Sequence, residues 1–279
     1  EQLDQTQFDL LTGMQTAFQT TRENEDPNGT LGSSLVILVT ADTLRTNHDS
    51  LQQMAHVNAV AGVPTSVISV NNSVSTQQID QIILAGQGHR RILNSISDAD
   101  AIAQRELNDV SRAVARAIRL NIRLAAGVKL INVIGSKRLD DRRSDQLREA
   151  ERSIDHRMSR NLGIEADRGK DDDGIQMIIP SYYAGDDHVF LLDLVVENAG
   201  PIADVTLKYK DLVFLNNGVT RTHLSLGRVA KPQGPLQFNV WKNMLAVKFA
   251  NIAKQAAQEL HHRPDYTYQI LHEHMQLLK

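Results

Sequence analysis

The sequence contains no cysteine, and aromatic residues make up only 4% of it. The lack of cysteine excludes disulfides, thiolate nucleophiles and metal sites built on cysteine. It leaves the redox compartment open, so a cytoplasmic and a cell-envelope location are both compatible with the sequence. The scarcity of aromatic rings leaves few platforms on which the bases of single-stranded nucleic acid stack.

The sequence also lacks a membrane span and a strong charge of one sign. No run approaches the roughly 20 consecutive apolar residues that a membrane-spanning helix needs. The sequence has 30 Lys and Arg residues and 33 Asp and Glu residues, and its formal net charge is -3. This charge provides no general electrostatic attraction for nucleic acid. We therefore expect no nucleic acid partner and no transmembrane segment. With 41% hydrophobic residues among 279, the chain is able to bury a sizeable core.

The apolar run at residues 35–39, bounded by Ser34 and Thr40, is the most informative segment. Such a run is typical of a strand in a parallel sheet that helices cover on both faces. Apolar periodicity and turn signals predict that helices and strands alternate through residue 114, which implies a parallel sheet with right-handed crossovers. The predicted helices are residues 2–21, 49–61, 76–85 and 98–114, and the predicted strands are residues 35–40, 65–70 and 91–93.

The pattern changes after Ala115. Ile118, Leu120 and Ile122 alternate with other residues, which predicts a strand with one face on a core and the other in solvent. We expect an antiparallel β-sandwich, interrupted by a solvated helix of alternating charge, and then two helices separated at Pro264. The further predicted strands are residues 128–134, 175–179, 188–196, 205–209 and 212–215, with turns at Gly185, Gly200-Pro201 and Asn216-Asn217-Gly218. The predicted domains are residues 1–115 (α/β), 116–230 (β-sandwich with the charged helix 141–162) and 231–279 (C-terminal helices).

Short sequence segments, together with the order of the predicted helices and strands, resemble the second half of a von Willebrand factor type A domain. Residues 35–42 resemble the fourth strand of that family and its following loop, and Ala61-Gly62-Val63-Pro64 with residues 65–70 resembles the fifth. The phrase Leu84-Ala85-Gly86-Gln87-Gly88 is similar to the small-residue turn before the short sixth strand. The remainder resembles the appendage of bacterial type A proteins related in architecture to inter-alpha-inhibitor heavy chains. The resemblance implies an incomplete, Rossmann-like parallel sheet followed by a β-sandwich and helices.

The resemblance also implies where a metal would bind. The family holds Mg²⁺ with oxygen ligands, which suit this ion, from an Asp-x-Ser-x-Ser loop, a Thr and an Asp after the fourth strand. The sequence has no Asp-x-Ser-x-Ser, and Thr40-Ala41-Asp42 places an alanine where the ligand is expected. Asp42 is then a ligand for Mg²⁺ or Ca²⁺ only if another chain or fragment completes the site. The alternative is that its carboxylate caps a turn or the next helix. We expect no cofactor for this chain by itself.

A missing first half would leave residues 35–39 as an apolar sheet edge. Unpaired backbone beside apolar side chains favours pairing with another chain, so we expect a protein partner, the N-terminal half of the same protein, or a homo- or hetero-oligomer. Alternatively, the helix predicted at residues 2–21 covers the edge. The resemblance places the partner-binding loops at the carboxyl ends of the strands. Their residues are Thr40, Asp42, Asn71 and Asn72.

Other candidate sites have a plainer explanation beside the functional one. Asp171 and Asp173, before Gly174, suggest a calcium loop, but the spacing of an EF-hand is absent and a solvated turn also explains them. No phosphate loop, Gly-x-Ser-x-Gly or His-Glu-x-x-His occurs. We therefore expect a non-catalytic interaction or scaffolding module that lacks a complete metal-dependent adhesion site. The alternatives are a metal-dependent adhesion protein whose Asp-x-Ser-x-Ser half comes from another chain or fragment, and a hydrolase.

Overall fold

The computed structural model divides the chain into two compact units. The first comprises residues 1–123, 139–186 and 204–222, and the second comprises residues 124–138, 187–203 and 223–279. The structure describes residues 10–23, 34–41, 48–70, 76–134, 144–168, 174–227, 235–260 and 263–276.

The first unit contains a parallel three-stranded sheet in the order β1-β2-β3. Its elements are α1 (Leu10–Glu23), β1 (Val36–Thr40), α2 (His48–Val60), β2 (Thr65–Val70), α3 (Thr76–Gly86), β3 (Gln87–Leu93), a 3-10 turn (Ile96–Asp98) and α4 (Ala99–Ser111). Val36 pairs with Thr65 and Thr40 pairs with Ser69, so β1 and β2 run in register. The predicted alternation of helices and strands and the parallel sheet are confirmed.

Helices pack on both faces of this sheet. Because successive side chains of a strand point to opposite faces, Val36 and Val67 share a face with the first three helices. The buried residues of this core are Met14, Phe18, Val36, Leu51, Ala55, Val63, Val67, Ile79 and Ile82. On the other face lies α4, where the Ser66 hydroxyl donates to the carboxylate of Glu106.

The rest of the described chain adds six strands and three helices. They are β4 (Ala113–Leu124), β5 (Val128–Ile134), α5 (Ser144–Leu162), β6 (Ile175–Tyr183), β7 (Leu191–Val196), β8 (Gly200–Asp211), β9 (Asn216–Leu226), α6 (Pro235–Glu259) and α7 (Pro264–Gln276). A four-stranded sheet has the order β6-β4-β8-β9, and β4 and β6 are antiparallel. The chain is therefore a mixed α/β protein with a parallel sheet, antiparallel sheets and additional helices.

Both faces of β4 are buried, so the prediction of a solvent-facing side is wrong. Ile118 and Ile122 lie in the interior as expected, but Arg119 on the alternate face is only 5% exposed. Helix α5 covers that face, where Ala117 packs against Met158. The alternation in the sequence correctly indicated that one face of β4 is polar. This face packs against charged side chains of α5 and is not exposed to solvent.

Charged side chains of α5 enter the interior, which corrects the expectation of a solvated helix. The guanidinium of Arg119 donates to both carboxylate oxygens of Glu151, with an Nε–Oε1 distance of 3.1 Å. Arg168 donates to the carbonyl oxygen of Ala117 at 2.8 Å from Nη2, and its Nε lies 3.5 Å from Oε1 of Glu151. Each buried charge of this group has an opposite charge beside it, as burial of ions requires.

Lys210 is the second centre of this buried ionic network. Its Nζ lies 2.6 Å from Oδ1 of Asp155 and 2.7 Å from Oδ1 of Asp167. It also donates to Oδ1 of Asn217 at 2.7 Å. The other oxygen of Asp155 accepts the backbone N–H groups of Asp167 at 3.0 Å and Arg168 at 2.7 Å. The network joins α5 to the segment after it and to the β8–β9 hairpin.

The hairpin between β8 and β9 differs from the prediction. Residues 212–215 form the turn and Asn216 begins β9, whereas a strand was predicted at residues 212–215 and a turn at Asn216-Asn217-Gly218. Oδ1 of Asp211 accepts the N–H groups of Val213 at 2.8 Å and Phe214 at 2.9 Å, and such side-chain acceptors compete with strand pairing. Gly200, predicted to lie in a turn, begins β8 with φ of +142°.

In the second unit, β5 and β7 form an antiparallel pair in which Ile134 lies opposite Leu191. Helices α6 and α7 pack against each other. The predicted break at Pro264 is confirmed, since this residue begins α7. No helix in the described part of the chain combines the length and apolar character of a membrane span.

Candidate functional site

Strand β1 lies at the end of the parallel sheet and pairs with β2 on one side. Within the described ranges, no strand pairs with its other side. The Val36 N–H donates to the carbonyl of Pro64 at 3.0 Å, so every second amide of β1 faces β2. The N–H groups of Ile37 and Val39 point to the other side because backbone directions alternate along a strand.

The apolar face of β1 is also open. The side chains of Ile37 and Val39 are 36% and 58% exposed, whereas Ile68 on the same face of β2 is 9% exposed. Leu38, on the opposite face, packs against the helical core. An unpaired edge and an uncovered apolar face therefore meet at β1, and this combination favours association with further backbone.

The predicted loop residues follow the carboxyl ends of these strands. Thr40 ends β1 opposite Ser69, one residue before the end of β2, so the two loops leave the sheet at one edge. The structure thus places Thr40 at the end of the sheet where the resemblance predicted partner binding. The other predicted site residues lie outside the described residues, and their roles stay predictions. They are Asp42, Asn71, Asn72, Asp171 and Asp173.

A polar cluster that the sequence analysis missed joins β3 to α4. Arg91 donates from Nε to Oε1 of Glu106 at 2.6 Å and from Nη2 to Oδ2 of Asp109 at 2.8 Å. His89 Nδ1 lies 3.3 Å from Oε2 of Glu106, and the His89 N–H donates to Oγ of Ser66 at 3.0 Å. The contacting residues are 15 to 40 positions apart, and no spacing in the sequence indicates them.

Glu106 is fully buried in this cluster. Burial by itself would raise the pKa of this carboxyl group, but the hydrogen bonds from Ser66 and Arg91 and the proximity of His89 outweigh it. The pKa of Glu106 is therefore lowered from its ordinary value of 4.5. The group is an anion at neutral pH, held by two strands of the parallel sheet.

Ligand atoms of His89, Glu106 and Asp109 lie within 4.8 Å of one another. A histidine nitrogen with two carboxylate oxygens is a donor set that transition metals accept. However, the guanidinium of Arg91 already contacts both carboxylates, and a dication would have to displace it. The cluster is best explained as an ion-pair bridge between β3 and α4.

A groove of about 520 Å³ lies between α1, α2 and α5. Its polar lining consists mainly of amide and hydroxyl side chains, and Gln53 donates to Gln146 across it at 2.8 Å. Glu149 is the carboxylate among its described lining residues, and no histidine lies beside it there. The described lining residues of this groove thus do not include a paired acid and base of the kind that hydrolytic chemistry uses.

Comparison with solved structures identifies the fold of this chain. No protein-family model and no curated protein matches the sequence. A solved structure described as von Willebrand factor type A from Catenulispora acidiphila is similar with a TM-score of 0.56 and 11% identity, over 89% of this chain and 54% of that one. The chain therefore has a type A-like fold, as the resemblance implied, and it spans about half the length of that structure.

Two further structures are similar at lower TM-scores. The ArnB paralog VWA2 from Sulfolobus acidocaldarius has a TM-score of 0.45 and 12% identity, with 94% of this chain and 58% of that chain covered. The human COPII-coat protein Sec24c has a TM-score of 0.42 and 11% identity, with 78% and 29% covered.

Proposed function

We propose that the chain is a non-catalytic protein-interaction module that takes up a strand of further polypeptide on the open side of β1. The observation that carries the proposal is the exposure of Ile37 and Val39 on an edge strand whose outward N–H groups meet no strand among the described residues. The incoming backbone would satisfy these N–H groups, and its side chains would cover the two apolar ones.

The type A-like fold supports this reading. The structure from Catenulispora acidiphila is longer than this chain, which covers 54% of it. Additional backbone beside a sheet of this kind is therefore compatible with the fold. The added strand is supplied by a partner protein, a second copy, or another part of a longer polypeptide. In each case it contributes backbone hydrogen bonds and apolar side chains at the β1 edge.

The lysine variant Val39→Lys tests the proposal. Because a charged side chain on a sheet edge opposes pairing, we expect this variant to remain monomeric where the unmodified chain associates as its concentration rises. The measurement is mass by size-exclusion chromatography with light scattering. An exposed position costs little stability on substitution, so the variant should keep its fold by circular dichroism.

The matched control is Leu84→Lys on α3. Leu84 is 72% exposed but lies on a helix, which offers no unpaired strand backbone, so this variant should associate like the unmodified chain. A Leu84 variant that behaves like the Val39 variant would contradict the proposal that the edge drives association, and a chain that stays monomeric at every concentration would exclude a second copy as the source of the added strand.

A metal-dependent adhesion protein is the second candidate, because Thr40 ends β1 where the family holds its ion. In that case a polypeptide carrying Asp-x-Ser-x-Ser would bind this chain more tightly with Mg²⁺ than with a chelator. Hydrolysis has less support, since the buried Ser66 hydroxyl donates to Glu106 and is not paired with a general base that faces a groove.

A further inference from the structure

Helix α6, in the second unit, exposes a row of large apolar side chains along its N-terminal half. Phe238 is 70% exposed, Trp241 52% and Phe249 45%. Because a helix advances about 100° per residue, these three residues share one face with the half-buried Leu245. We call these four residues the α6 face. Further along the helix the same face ends at Ala256, which is 4% exposed.

The composition of the α6 face distinguishes it from scattered exposed apolar residues. The chain has one tryptophan and six phenylalanines, and the tryptophan and two of the phenylalanines lie on this face. Single exposed apolar side chains are normal on a protein surface, whereas a cluster of them marks a contact site. Aromatic side chains also supply much of the binding energy at protein interfaces. The α6 face therefore has the character of an interaction surface, in addition to the β1 edge of the first unit.

The charges beside the α6 face are all of one sign. Residues 235–258 include three lysines and no aspartate or glutamate. Lys242 and Lys248 are exposed, and the advance of about 100° per residue places them at the two borders of the face. A partner with carboxylates along both sides of an apolar stripe would be complementary to the face in polarity and in charge.

A second copy of the chain and a lipid surface fit this face less well. Two copies would bring lysines together with no acidic residue from this part of either helix, and like charges oppose association. A helix that lies on a membrane has a strongly charged polar side, whereas the side of α6 away from the face carries mainly asparagine and alanine (Asn239, Asn243, Ala246 and Ala250).

We propose that the α6 face binds an amphipathic helix of a partner protein. The apolar side chains of that helix would cover Phe238, Trp241 and Phe249, and its Asp or Glu residues would pair with Lys242 and Lys248. This interaction is separate from the strand addition proposed for β1, and the two proposals are tested independently.

A display library of helical peptides tests the proposal. Its members carry apolar residues at helical spacing and Glu, Gln or Lys at the flanking positions, and none contains tryptophan. We expect selection on the unmodified chain to enrich peptides flanked by Glu. The matched peptide flanked by Lys should bind about tenfold more weakly, because exposed charge pairs change from attraction to repulsion. Enrichment of no peptide, or enrichment without a preference for Glu, would overturn the proposal.

Trp241 reports where a selected peptide binds, because it is the only tryptophan of the chain. Its emission should shift to shorter wavelength and its quenching by acrylamide should fall when a helix covers it. Binding that changes neither quantity, or a Trp241 already protected from acrylamide in the free monomer, would overturn the assignment. The same emission shift with vesicles containing phosphatidylglycerol, but not with the peptide, would assign the face to a lipid surface instead.

Three variants locate the interaction, with circular dichroism as the check on folding. Phe238→Glu should weaken peptide binding at least about tenfold, since a charge replaces an apolar contact. The matched control is Val240→Glu, because Val240 is 56% exposed but lies on another side of α6, and this variant should bind as the unmodified chain does. Lys242→Glu with Lys248→Glu should reverse the preference in favour of the peptide flanked by Lys. An unchanged preference in this double variant, or equal losses in the Phe238 and Val240 variants, would overturn the proposal.

Discussion

The substitution Lys210→Met removes the cation at the second centre of the buried ionic network. Lys210 is fully buried and Asp155 is 1% exposed, so the carboxylate of Asp155 would remain in the interior without its 2.6 Å partner. Removing one member of a buried pair costs about 3–5 kcal/mol. The side chain of Asp167 is 32% exposed, so solvent screens it and its pairing adds little.

A second substitution separates the contribution of the Lys210–Asp155 ion pair to stability from that of the hydrogen bonds that Asp155 accepts. In Lys210→Met with Asp155→Asn, the asparagine oxygen still accepts the N–H groups that Asp155 accepts at 3.0 and 2.7 Å, and no unpaired charge remains. We expect the double variant to recover all but about 1–2 kcal/mol of the free energy of unfolding. Urea denaturation at pH 7 measures these values.

Lys129 provides the control, since its side chain is 72% exposed and its Nζ lies 3.3 Å from Glu197. An exposed pair contributes only about 0–1 kcal/mol, so Lys129→Met should unfold almost as the unmodified chain does. The reasoning would be refuted if Lys210→Met cost less than about 1 kcal/mol, or if the double variant were no more stable than the single one.

Two further substitutions test the parallel sheet and its polar cluster. The pKa of Glu106 is lower when folded than its unfolded value near 4.5, so its carboxylate stabilises the fold above that value and the stabilisation is lost as pH falls through the folded pKa. Glu106→Gln should accordingly be less stable at neutral pH and lose stability less steeply on acidification, as urea denaturation at several pH values would show. A Cβ on Gly88 would lie 1.9 Å from the carbonyl oxygen of Thr65, so Gly88→Ala should lower the melting temperature sharply and disturb the β2–β3 pairing. A melting temperature unchanged by this substitution would contradict the close approach of the two strands.

Local signals in the sequence were sufficient to predict the helices and strands whose apolar residues are buried. The runs at β1 and β2 and the stripe of Ile154 and Met158 on α5 predicted their elements because burial of such residues dominates folding. The turn after Asp211 was placed wrongly because a side-chain acceptor overrode the apolar character of residues 212–215.

The polar contacts between distant residues were not predictable from spacing. Glu151 and Asp155 follow the pattern of an exposed charged helix, and only the approach of Arg119 and Lys210 makes their burial favourable. The same holds for Glu106, whose partners Ser66 and Arg91 come from two other elements. Burial of a charge depends on partners that the tertiary fold supplies, and the local pattern does not encode them.

Hydrogen exchange of the β1 amides, resolved residue by residue by NMR, tests the open edge most directly. In the isolated monomeric chain we expect the amides of Ile37 and Val39 to exchange rapidly and that of Leu38 to be protected by β2, because the three amides alternate in direction. The Ile37 and Val39 amides should become protected when the chain associates. Protection of all three amides in the monomer would show that the edge is already paired and would contradict the account.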